Sequence, residues 1–283
     1  MELDIIRSIQ EIMSPTLDQI MIWVTMFAEE AMIIGLLTFI FWNIDKVAAK
    51  RIGFVLITSM TLNNIIKDLF NYDRPIGEEG IISLRTETAT GQAFPSGHTQ
   101  VATTFYVSMG LWFKKNWLVT LGIVIGLIVG FSRVYLGLHY PKDVVVGFVL
   151  ALIISLVFYN VLRNLRDDEG IMIGAMIVLG IGFFFSHSED FIKAYGLLIG
   201  FVAGIIFESR MVDFKMKARF YQKIIRWILG LAIMIGLKVG LKMIFPETDL
   251  FNVIRYILFA FIGIGVYPIM FNQLKILGKH KGL

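Results

Sequence analysis

The sequence of 283 residues contains no cysteine, which excludes disulfide bonds, thiolate nucleophiles and thiolate metal ligands. Charged residues are scarce as well. Asp, Glu, Lys and Arg make up 17% of the chain, whereas they make up about 25% of a typical soluble domain. The formal net charge is only +4, so we expect no nucleic-acid partner. These shortages argue against an ordinary soluble domain.

Hydrophobic residues take the place of the missing charges. They account for 57% of the chain, the mean hydropathy is +0.74, and they occur in long runs. Because a helix needs about 20 mostly apolar residues to cross a bilayer, the pattern predicts an all-α fold, namely a polytopic membrane helix bundle. The candidate spans number about nine and cover roughly residues 18–44, 51–70, 97–113, 117–134, 142–162, 170–186, 190–208, 225–244 and 252–272.

The connections between these spans differ in positive charge. Alternate connections and the C-terminal tail hold most of the basic residues: Lys46, Lys50, Arg51, Lys114, Lys115, Arg163, Arg166, Arg210, Lys215, Lys217, Arg219, Lys223, Arg226, Lys275, Lys279 and Lys281. The other connections hold Arg7, Arg85, Lys193, Arg255 and the acidic stretch 246–249. Since connections rich in Lys and Arg stay in the cytoplasm, we predict a multi-pass plasma-membrane protein with its N-terminus outside. Loops 71–96 and 134–141 then share the extracytoplasmic face.

Three stretches near this face carry charged and reactive side chains: K-D-L-F-N-Y-D-R-P at 67–75, P-S-G-H at 95–98, and S-R-V-Y-L-G-L-H-Y-P-K-D at 132–143. Taken singly, their residues have ordinary explanations. Lys67 at the end of a span can extend to the interface, Ser96 can cap a helix, and Asp143 suits the first turn of a helix. Taken together, they supply two imidazoles, three cations, a carboxylate and a helix start.

That combination fits phosphoryl transfer, which needs positive charge around three phosphoryl oxygens, a nucleophile and an acid for the leaving group. Lys67, Arg74 and Arg133 can supply the charge. The backbone N–H groups at Ser96 and Gly97 mark a helix start, where anions bind readily. One histidine can attack phosphorus while a carboxylate orients its ring, and the other histidine can protonate the departing oxygen.

The same residues resemble a known family. The patterns Lys67-x6-Arg74-Pro75, Pro95-Ser96-Gly97-His98 and Ser132-Arg133-x5-His139-x3-Asp143 are similar to the three signature blocks of the type 2 phosphatidic acid phosphatase superfamily, with no departure at any signature position. The resemblance implies that His139 is the nucleophile that forms a phosphohistidine, with Asp143 as its partner and His98 as the general acid. It assigns phosphate binding to Lys67, Arg74, Ser96, Gly97 and Arg133. It implies no metal and no other cofactor.

The resemblance also suggests how the chain is divided. The family's six-helix phosphatase core would cover roughly residues 18–186. We therefore expect a membrane phosphatase core with its N-terminal segment at 1–186 and a three-span C-terminal extension at 187–283. The signature blocks do not explain the extension.

Further polar residues lie inside the spans. Glu29 and Glu30 occupy a hydrophobic segment, where carboxylates are costly and often functional. We expect a tilt or a break there, and two roles stay open for both residues: lining the substrate entrance or pairing with a cation. Lys238 and Lys242 share one face of the eighth span, where we favour extension of the side chains to the interface over head-group binding.

Glycines recur at every fourth position in two spans: Gly122, Gly126 and Gly130, then Gly196, Gly200 and Gly204. Such stripes let helix backbones approach closely. We favour packing within the chain, and a homodimer interface is the alternative.

The leading functional hypothesis is a membrane phosphatase that removes the terminal phosphate of a lipid phosphate or pyrophosphate at the outer leaflet. Undecaprenyl pyrophosphate, phosphatidylglycerol phosphate and phosphatidic acid all fit, and an outward-facing site favours a carrier lipid of the cell envelope. One alternative is a lipid phosphotransferase that uses the same phosphohistidine. The others are vanadate-dependent halide oxidation, which the family's soluble relatives suggest, and a non-catalytic transporter or scaffold.

Overall fold

The computed structural model describes residues 1–165 and 167–278, and within them every regular element is helical, as predicted. Arg166, Lys279 and Lys281, which contributed to the predicted charge asymmetry, lie outside the described residues. The helices are α1 (Glu2–Gln10), α2 (Pro15–Thr25), α3 (Glu30–Asn43), α4 (Lys46–Phe70), α5 (Gly97–Trp112), α6 (Asn116–Tyr135), α7 (Pro141–Leu165), α8 (Asp168–Gly180), α9 (Glu189–Phe207), α10 (Phe220–Ile244), α11 (Asp249–Phe261) and α12 (Ile269–Gln273).

The first predicted span is broken near its two glutamates. Helix α2 ends at Thr25, a 3₁₀ turn follows at Met26–Ala28, and α3 begins at Glu30. Glu29 lies between them with an extended backbone, and the two helices meet at a bend of 45°. The break lets both carboxylates reach cations instead of remaining unpaired in an apolar helix.

The predicted count of nine spans is not confirmed. In the described part of the chain, five helices are long and apolar enough to cross a membrane: α6, α7, α9 with its continuation to Val212, α10, and α11 with its continuation to Gln273. The bent pair α2–α3 raises the number to six. Helices α5 and α8 have 16 and 13 residues, and at 1.5 Å per residue they are shorter than the ~30 Å of a bilayer core. Helix α4 is long enough, but charged residues stand at both of its ends.

Buried polar side chains join α4 to α5 at the centre of the bundle. The hydroxyl oxygens of Ser59 and Thr104 lie 3.0 Å apart. Gln100 Nε2 donates to the carbonyl oxygen of Ser59 at 2.9 Å, and Asn63 Nδ2 donates to Gln100 Oε1 at 2.8 Å. Because these groups have few other partners in an apolar bundle, their bonds fix how far one helix is shifted along the other.

The glycine stripes serve close packing within the chain. A Cβ atom at Gly122 would lie 2.6 Å from the backbone of Tyr106 on α5, and one at Gly126 would collide with Thr103. Gly200 on α9 faces the backbone of Ile257 on α11 in the same way. These contacts agree with the favoured interpretation, and the homodimer stays an untested prediction.

The C-terminal extension packs directly on the rest of the bundle. Helix α9 lies against α4, and α10 lies against α3, where Trp227 Nε1 donates to the carbonyl oxygen of Gly35 at 2.9 Å. Just before α9, the hydroxyl of Ser186 bonds to the carboxylate of Asp68 near the end of α4. The segments on either side of the predicted boundary between residues 186 and 187 are therefore packed against each other. The division of the chain into a core and an extension stays a prediction.

Helix α1 holds the long loop 71–96 in place. Gln10 Nε2 donates to the carbonyl oxygens of Ile82, in the loop, and Tyr135, at the end of α6, at 2.7 and 2.9 Å. The backbone N–H of Ile82 donates back to Gln10 Oε1 at 3.0 Å. The amide of Gln10 thus ties the loop to the end of α6.

Candidate active site

Four helix ends and one loop meet at one end of the bundle, where α4 and α6 terminate and α5 and α7 begin. The residues brought together there are Lys67, Arg74, Ser96, Gly97, His98, Arg133, His139 and Asp143. Five of them (Lys67, Ser96, Arg133, His139 and Asp143) are at most 6% exposed. A buried group of this polarity needs either internal partners or a ligand.

Helix boundaries aim these side chains at a common point. Asn71 ends α4 in the left-handed conformation, with φ 49°, and so turns the chain toward Arg74. Pro141 begins α7, where its missing N–H is not needed. Asp143 lies in the first turn of α7, and its Oδ2 accepts the backbone N–H of Tyr140 at 2.9 Å.

The two ring nitrogens of His139 have different partners, which fix its tautomer. Arg74 Nη1 lies 2.9 Å from His139 Nε2. Because a guanidinium only donates, Nε2 must accept, so the ring proton is on Nδ1. Asp143 Oδ2, 3.3 Å from Nδ1, is placed to accept that proton's hydrogen bond. The unprotonated nitrogen with its free electron pair is therefore Nε2.

The electrostatic surroundings keep this imidazole neutral. Burial, and then the positive charges of Arg74 and Arg133, hold the pKa of His139 well below its ordinary value of 6.5. Burial also lowers the pKa of Arg74, to about 10. Arg74 is thus still protonated at neutral pH, and the site combines a neutral nucleophilic nitrogen with a charged donor.

Arg133 is fully buried and only partly hydrogen-bonded. Its Nη1 donates to the hydroxyls of Thr25 and Thr88, both at 3.1 Å. Its Nε and Nη2 have no hydrogen-bond partner among the residues that the structure describes. A buried guanidinium with two free donor nitrogens is unfavourable unless an anion binds there. A phosphoryl group presents acceptor oxygens suited to such a pair of donors.

Backbone carbonyl oxygens of residues 90–92 accept hydrogen bonds from the other two cations, Lys67 and Arg74. Lys67 Nζ donates to the carbonyl oxygens of Gln92 and Thr90 at 2.7 and 3.4 Å. Arg74 donates to the same two carbonyls, at 3.3 and 2.6 Å, and to that of Gly91 at 3.0 Å. Neutral carbonyl partners orient both side chains without cancelling their charge. Within the described residues, no group of three or more His, Asp or Glu side chains is arranged to hold a metal ion.

The start of α5 differs in detail from the expected anion site. The backbone N–H of Ser96 donates to the carbonyl oxygen of Asp143 at 2.9 Å, so it is not available to a phosphate. The Ser96 side chain makes no cap bond, and its Oγ accepts from Thr99 Oγ1 at 2.9 Å. The helix-start donors that face an incoming anion are then those of Gly97 and His98, the first two residues of α5.

The structure separates the two glutamates that were predicted to share the substrate entrance. Glu29 pairs with Arg85 of loop 71–96 at 2.8 Å, and both charges act on the nearby Arg133. Glu30 points to α10 instead and pairs with Lys238 at 2.6 Å. The break between α2 and α3 turns neighbouring side chains in different directions, so only Glu29 remains beside the candidate site.

Sequence reasoning missed Asp190 in the extension. Its Oδ2 lies 3.3 Å from the position of a Cβ on Gly91, and that same position is 3.9 Å from Lys67 Nζ. Its negative charge acts on both Lys67 and Arg74. No spacing links residue 190 to the three motifs. Only the packing of α9 against α4 brings it to the site.

Two family models match the chain. The model of the PAP2 superfamily matches residues 48–167, which include every residue of the three motifs. The model described as the PAP2 superfamily phosphatase transmembrane extension matches residues 192–280. The second match covers the part of the chain that the motifs left unexplained.

Curated proteins with similar sequences are phosphatases by name. Sphingosine-1-phosphate phosphatase 1 of Mus musculus is 27% identical over 162 residues, which are 53% of this chain and 37% of that protein. Undecaprenyl-diphosphatase BcrC of Bacillus subtilis is 29% identical over 154 residues, 53% of this chain and 77% of that protein. Phosphatidylglycerophosphatase B of Haemophilus influenzae is 39% identical over 86 residues, 28% of this chain and 36% of that protein.

The match to the mouse relative thus spans less than two fifths of that protein's length. No solved structure matches the chain.

Proposed function

This chain belongs to the PAP2 superfamily, and we propose that it is a membrane phosphatase that removes the terminal phosphate from a lipid phosphate or pyrophosphate. One observation carries the proposal. The unprotonated Nε2 of His139 is fixed by Arg74 and Asp143, in the same buried cluster as the free donors of Arg133. A candidate nucleophile and unsatisfied donors suited to an anion thus occur together.

The proposed first step forms a bond between Nε2 of His139 and phosphorus and breaks the bond from phosphorus to the lipid oxygen. The hydrogen bond from Arg74 Nη1 to His139 Nε2 breaks, and the same N–H of Arg74 then donates to a phosphoryl oxygen. Asp143 stabilises the positive charge that the ring gains. His98 donates a proton to the leaving lipid oxygen, and Arg133, Lys67 and the α5 start neutralise the phosphoryl oxygens.

The second step returns the enzyme to its starting state. Water attacks phosphorus opposite the ring nitrogen, and the N–P bond breaks. His98, now unprotonated, accepts a proton from the water, as microscopic reversibility requires. Inorganic phosphate leaves, and the imidazole of His139 is neutral again.

An amphiphile is the substrate class that the surroundings support. Leu69, Phe70 and Tyr72 follow Lys67 closely in the chain and are 56%, 50% and 45% exposed, so apolar side chains flank the site. The relatives are named for sphingosine-1-phosphate, undecaprenyl diphosphate and phosphatidylglycerophosphate. All three are lipids with a terminal phosphate. We propose a carrier lipid of the cell envelope as the first candidate, because the charge pattern favours an outward-facing site.

A phosphate-release screen of the purified protein over lipid phosphates and pyrophosphates tests the proposal. We expect release from at least one of them, and loss of release in His139→Ala. His187→Ala, which removes an exposed loop histidine, is the matched control and should keep full activity. His98→Ala should reduce the rate of hydrolysis less for substrates with good leaving groups than for substrates with poor ones. Wild-type rates in His139→Ala would contradict the nucleophile assignment.

The same intermediate would also serve a lipid phosphotransferase. Substrate labelled with ³²P distinguishes the two functions: a phosphatase releases labelled inorganic phosphate, whereas a transferase passes the label to an added acceptor lipid. Label bound to wild-type protein but not to His139→Ala protein supports the phosphohistidine in either case.

We further propose that α4, α5 and α8 cross the membrane inside the bundle, which would give nine crossings and an extracytoplasmic site. Since the chain has no native cysteine, single cysteines report topology directly. Glu87→Cys, near Arg85 and 71% exposed, should be labelled only from outside. Lys115→Cys, between α5 and α6, should be labelled only from the cytoplasm. The reverse pattern would overturn the orientation.

A further inference from the structure

A polar cavity lies in the part of the bundle that the catalytic motifs do not reach. It is about 350 Å³ in volume and lies between α3, α9, α10 and α11. The residues that line it include Glu30, Glu189, Lys193, Lys238, Lys242 and Arg255. Glu189 and Lys193 lie at the start of α9, and Lys238 and Lys242 lie near the end of α10. The cavity therefore opens at the same end of the bundle as the candidate phosphate site.

The charges that line the cavity cancel in pairs, with one exception. Lys238 pairs with Glu30 at 2.6 Å, Lys193 pairs with Glu189 at 2.8 Å, and Lys242 pairs with Glu247 at 3.0 Å. Arg255 forms no ion pair with any carboxylate in the described part of the chain. The lining therefore holds one positive charge in excess.

Arg255 is also poorly satisfied where it lies. It is 8% exposed, its Nη2 bonds to the side-chain oxygen of Asn252, and its Nε has no partner. Burying a guanidinium with a free donor is unfavourable unless an acceptor arrives. An anion with a single negative charge would satisfy both the free donor and the excess charge.

The surroundings of the cavity favour an anion that is carried by a lipid. Val239, Met243 and Leu250 lie close in sequence to the lining residues and are 56%, 82% and 67% exposed. In a membrane bundle such apolar side chains face lipid. Arg255 is six residues into α11, which corresponds to a depth of about 9 Å and thus to the interfacial region.

We propose that this cavity binds the phosphodiester head group of a membrane phospholipid, with Arg255 as the donor to its phosphate and the acyl chains along the exposed face of α10. A phosphodiester carries one negative charge, which matches the one excess positive charge. The site is distinct from the catalytic one. At the start of α9, Glu189 lines this cavity, whereas its neighbour Asp190 faces Gly91 and Lys67. The proposal therefore holds whether or not His139 is a nucleophile.

Thermal unfolding of the purified protein in detergent tests the proposal with three probes. Dioctanoyl phosphatidylglycerol carries the phosphodiester and the chains, dioctanoylglycerol carries only the chains, and inorganic phosphate carries only the anion. Phosphatidylglycerol should raise the Tm of the wild-type protein by at least about 3 °C. It should raise the Tm of Arg210→Gln equally, because Arg210 is an exposed arginine elsewhere in the extension. The shift should disappear in Arg255→Gln.

A second variant keeps the test decisive if Arg255→Gln does not fold. Leu241→Trp fills the cavity from α10 without removing a charge, and it should also abolish the phosphatidylglycerol shift. An unchanged shift in either variant overturns the proposal. A shift of equal size with dioctanoylglycerol, or an Arg255-dependent shift of equal size with inorganic phosphate, overturns it as well. Phosphate release measured on the same preparations reports separately on the catalytic proposal.

Discussion

The backbone N–H of Ser96 donates a hydrogen bond to the carbonyl oxygen of Asp143 over 2.9 Å. This bond joins the start of α5, where we propose that phosphate binds, to the first turn of α7, which carries Asp143, the hydrogen-bond partner of His139. Gly147, one turn further along α7, allows the approach, because a Cβ there would lie 2.7 Å from the carbonyl oxygen of Ser96. The bonded residues, Ser96 and Asp143, are 47 positions apart in the chain, and their bond holds two of the motifs in a fixed arrangement.

Gly147→Ala should therefore damage the site without touching a catalytic side chain. The added methyl group forces α7 away from the start of α5, and we expect a loss of about 1–3 kcal/mol of stability together with most of the activity. Gly236→Ala is the control, since a Cβ there meets nothing within 4 Å. Thermal unfolding and phosphate release measure both effects, and equal behaviour of the two variants would refute the packing argument.

Asp143→Asn should remove the charge that stabilises the imidazolium and weaken control of the ring tautomer. We expect kcat to fall roughly 10⁴-fold, as happens when the carboxylate of a histidine pair is neutralised in other enzymes. Asp73→Asn, next to Arg74 but exposed, should change kcat little. Steady-state kinetics on one lipid phosphate decide the matter, and comparable losses in the two variants would show a general charge effect instead.

Arg133→Lys should lower kcat/KM about 10²-fold or more, because an ammonium cannot bind both threonine hydroxyls and still offer two donors to a phosphate. Arg163→Lys, at the far end of α7, should retain wild-type kinetics. Vanadate, which imitates the transferred phosphoryl group, should also inhibit Arg133→Lys more weakly. Full inhibition of this variant would show that Arg133 does not contact the phosphate.

The pH profile should report the lowered pKa of His139. A lowered pKa means that the neutral, nucleophilic form persists to lower pH, so the acid limb of kcat/KM should lie below pH 6.5, the ordinary value. In Arg74→Gln the largest charge that opposes protonation is gone. The pKa of His139 should then rise, and the acid limb of the residual activity should move to higher pH. Because both profiles use one substrate, its own titration cancels in the comparison. A limb at the same pH in both proteins would contradict this assignment.

Asp190→Asn should strengthen phosphate binding, since it removes a negative charge that acts on Lys67 and Arg74. We expect KM and the inhibition constant of inorganic phosphate to fall about 3- to 10-fold, as expected for removal of one nearby charge in a partly screened site. Glu189→Gln, the adjacent residue that faces away from the site, should leave both constants unchanged. Equal changes in the two variants would indicate a general effect of the extension's charge.

The three motifs could be identified from the sequence because their residue types and short spacings are local properties. The position of Asp143 four residues after His139 predicted a contact between the two side chains, and the structure shows it: His139 Nδ1 lies 3.3 Å from Asp143 Oδ2. The break at Glu29 and Glu30 was also expected, since two carboxylates are unfavourable within one apolar helix. The number of spans was not predictable in the same way. Short or polar helices such as α5 and α8 look like spans by composition, yet their lengths depend on where the folded chain ends them.

By itself, the sequence determined that this protein is an all-helical membrane chain and which residues are candidates for the site, because the length of hydrophobic runs and the spacing of motifs are properties of the linear chain. Only the tertiary structure decided that Asp190 of the extension lies beside Lys67 and the candidate phosphate site. It also decided that the N–H of Ser96 donates to the carbonyl oxygen of Asp143, and that Glu29 and Glu30 pair with cations in different parts of the bundle. The tertiary structure likewise decided that Arg255 is buried at the polar cavity between α3, α9, α10 and α11, with its Nε unpaired among the described residues. Each of these depends on contacts between distant segments, which arise from helix packing and leave no mark on local residue spacing.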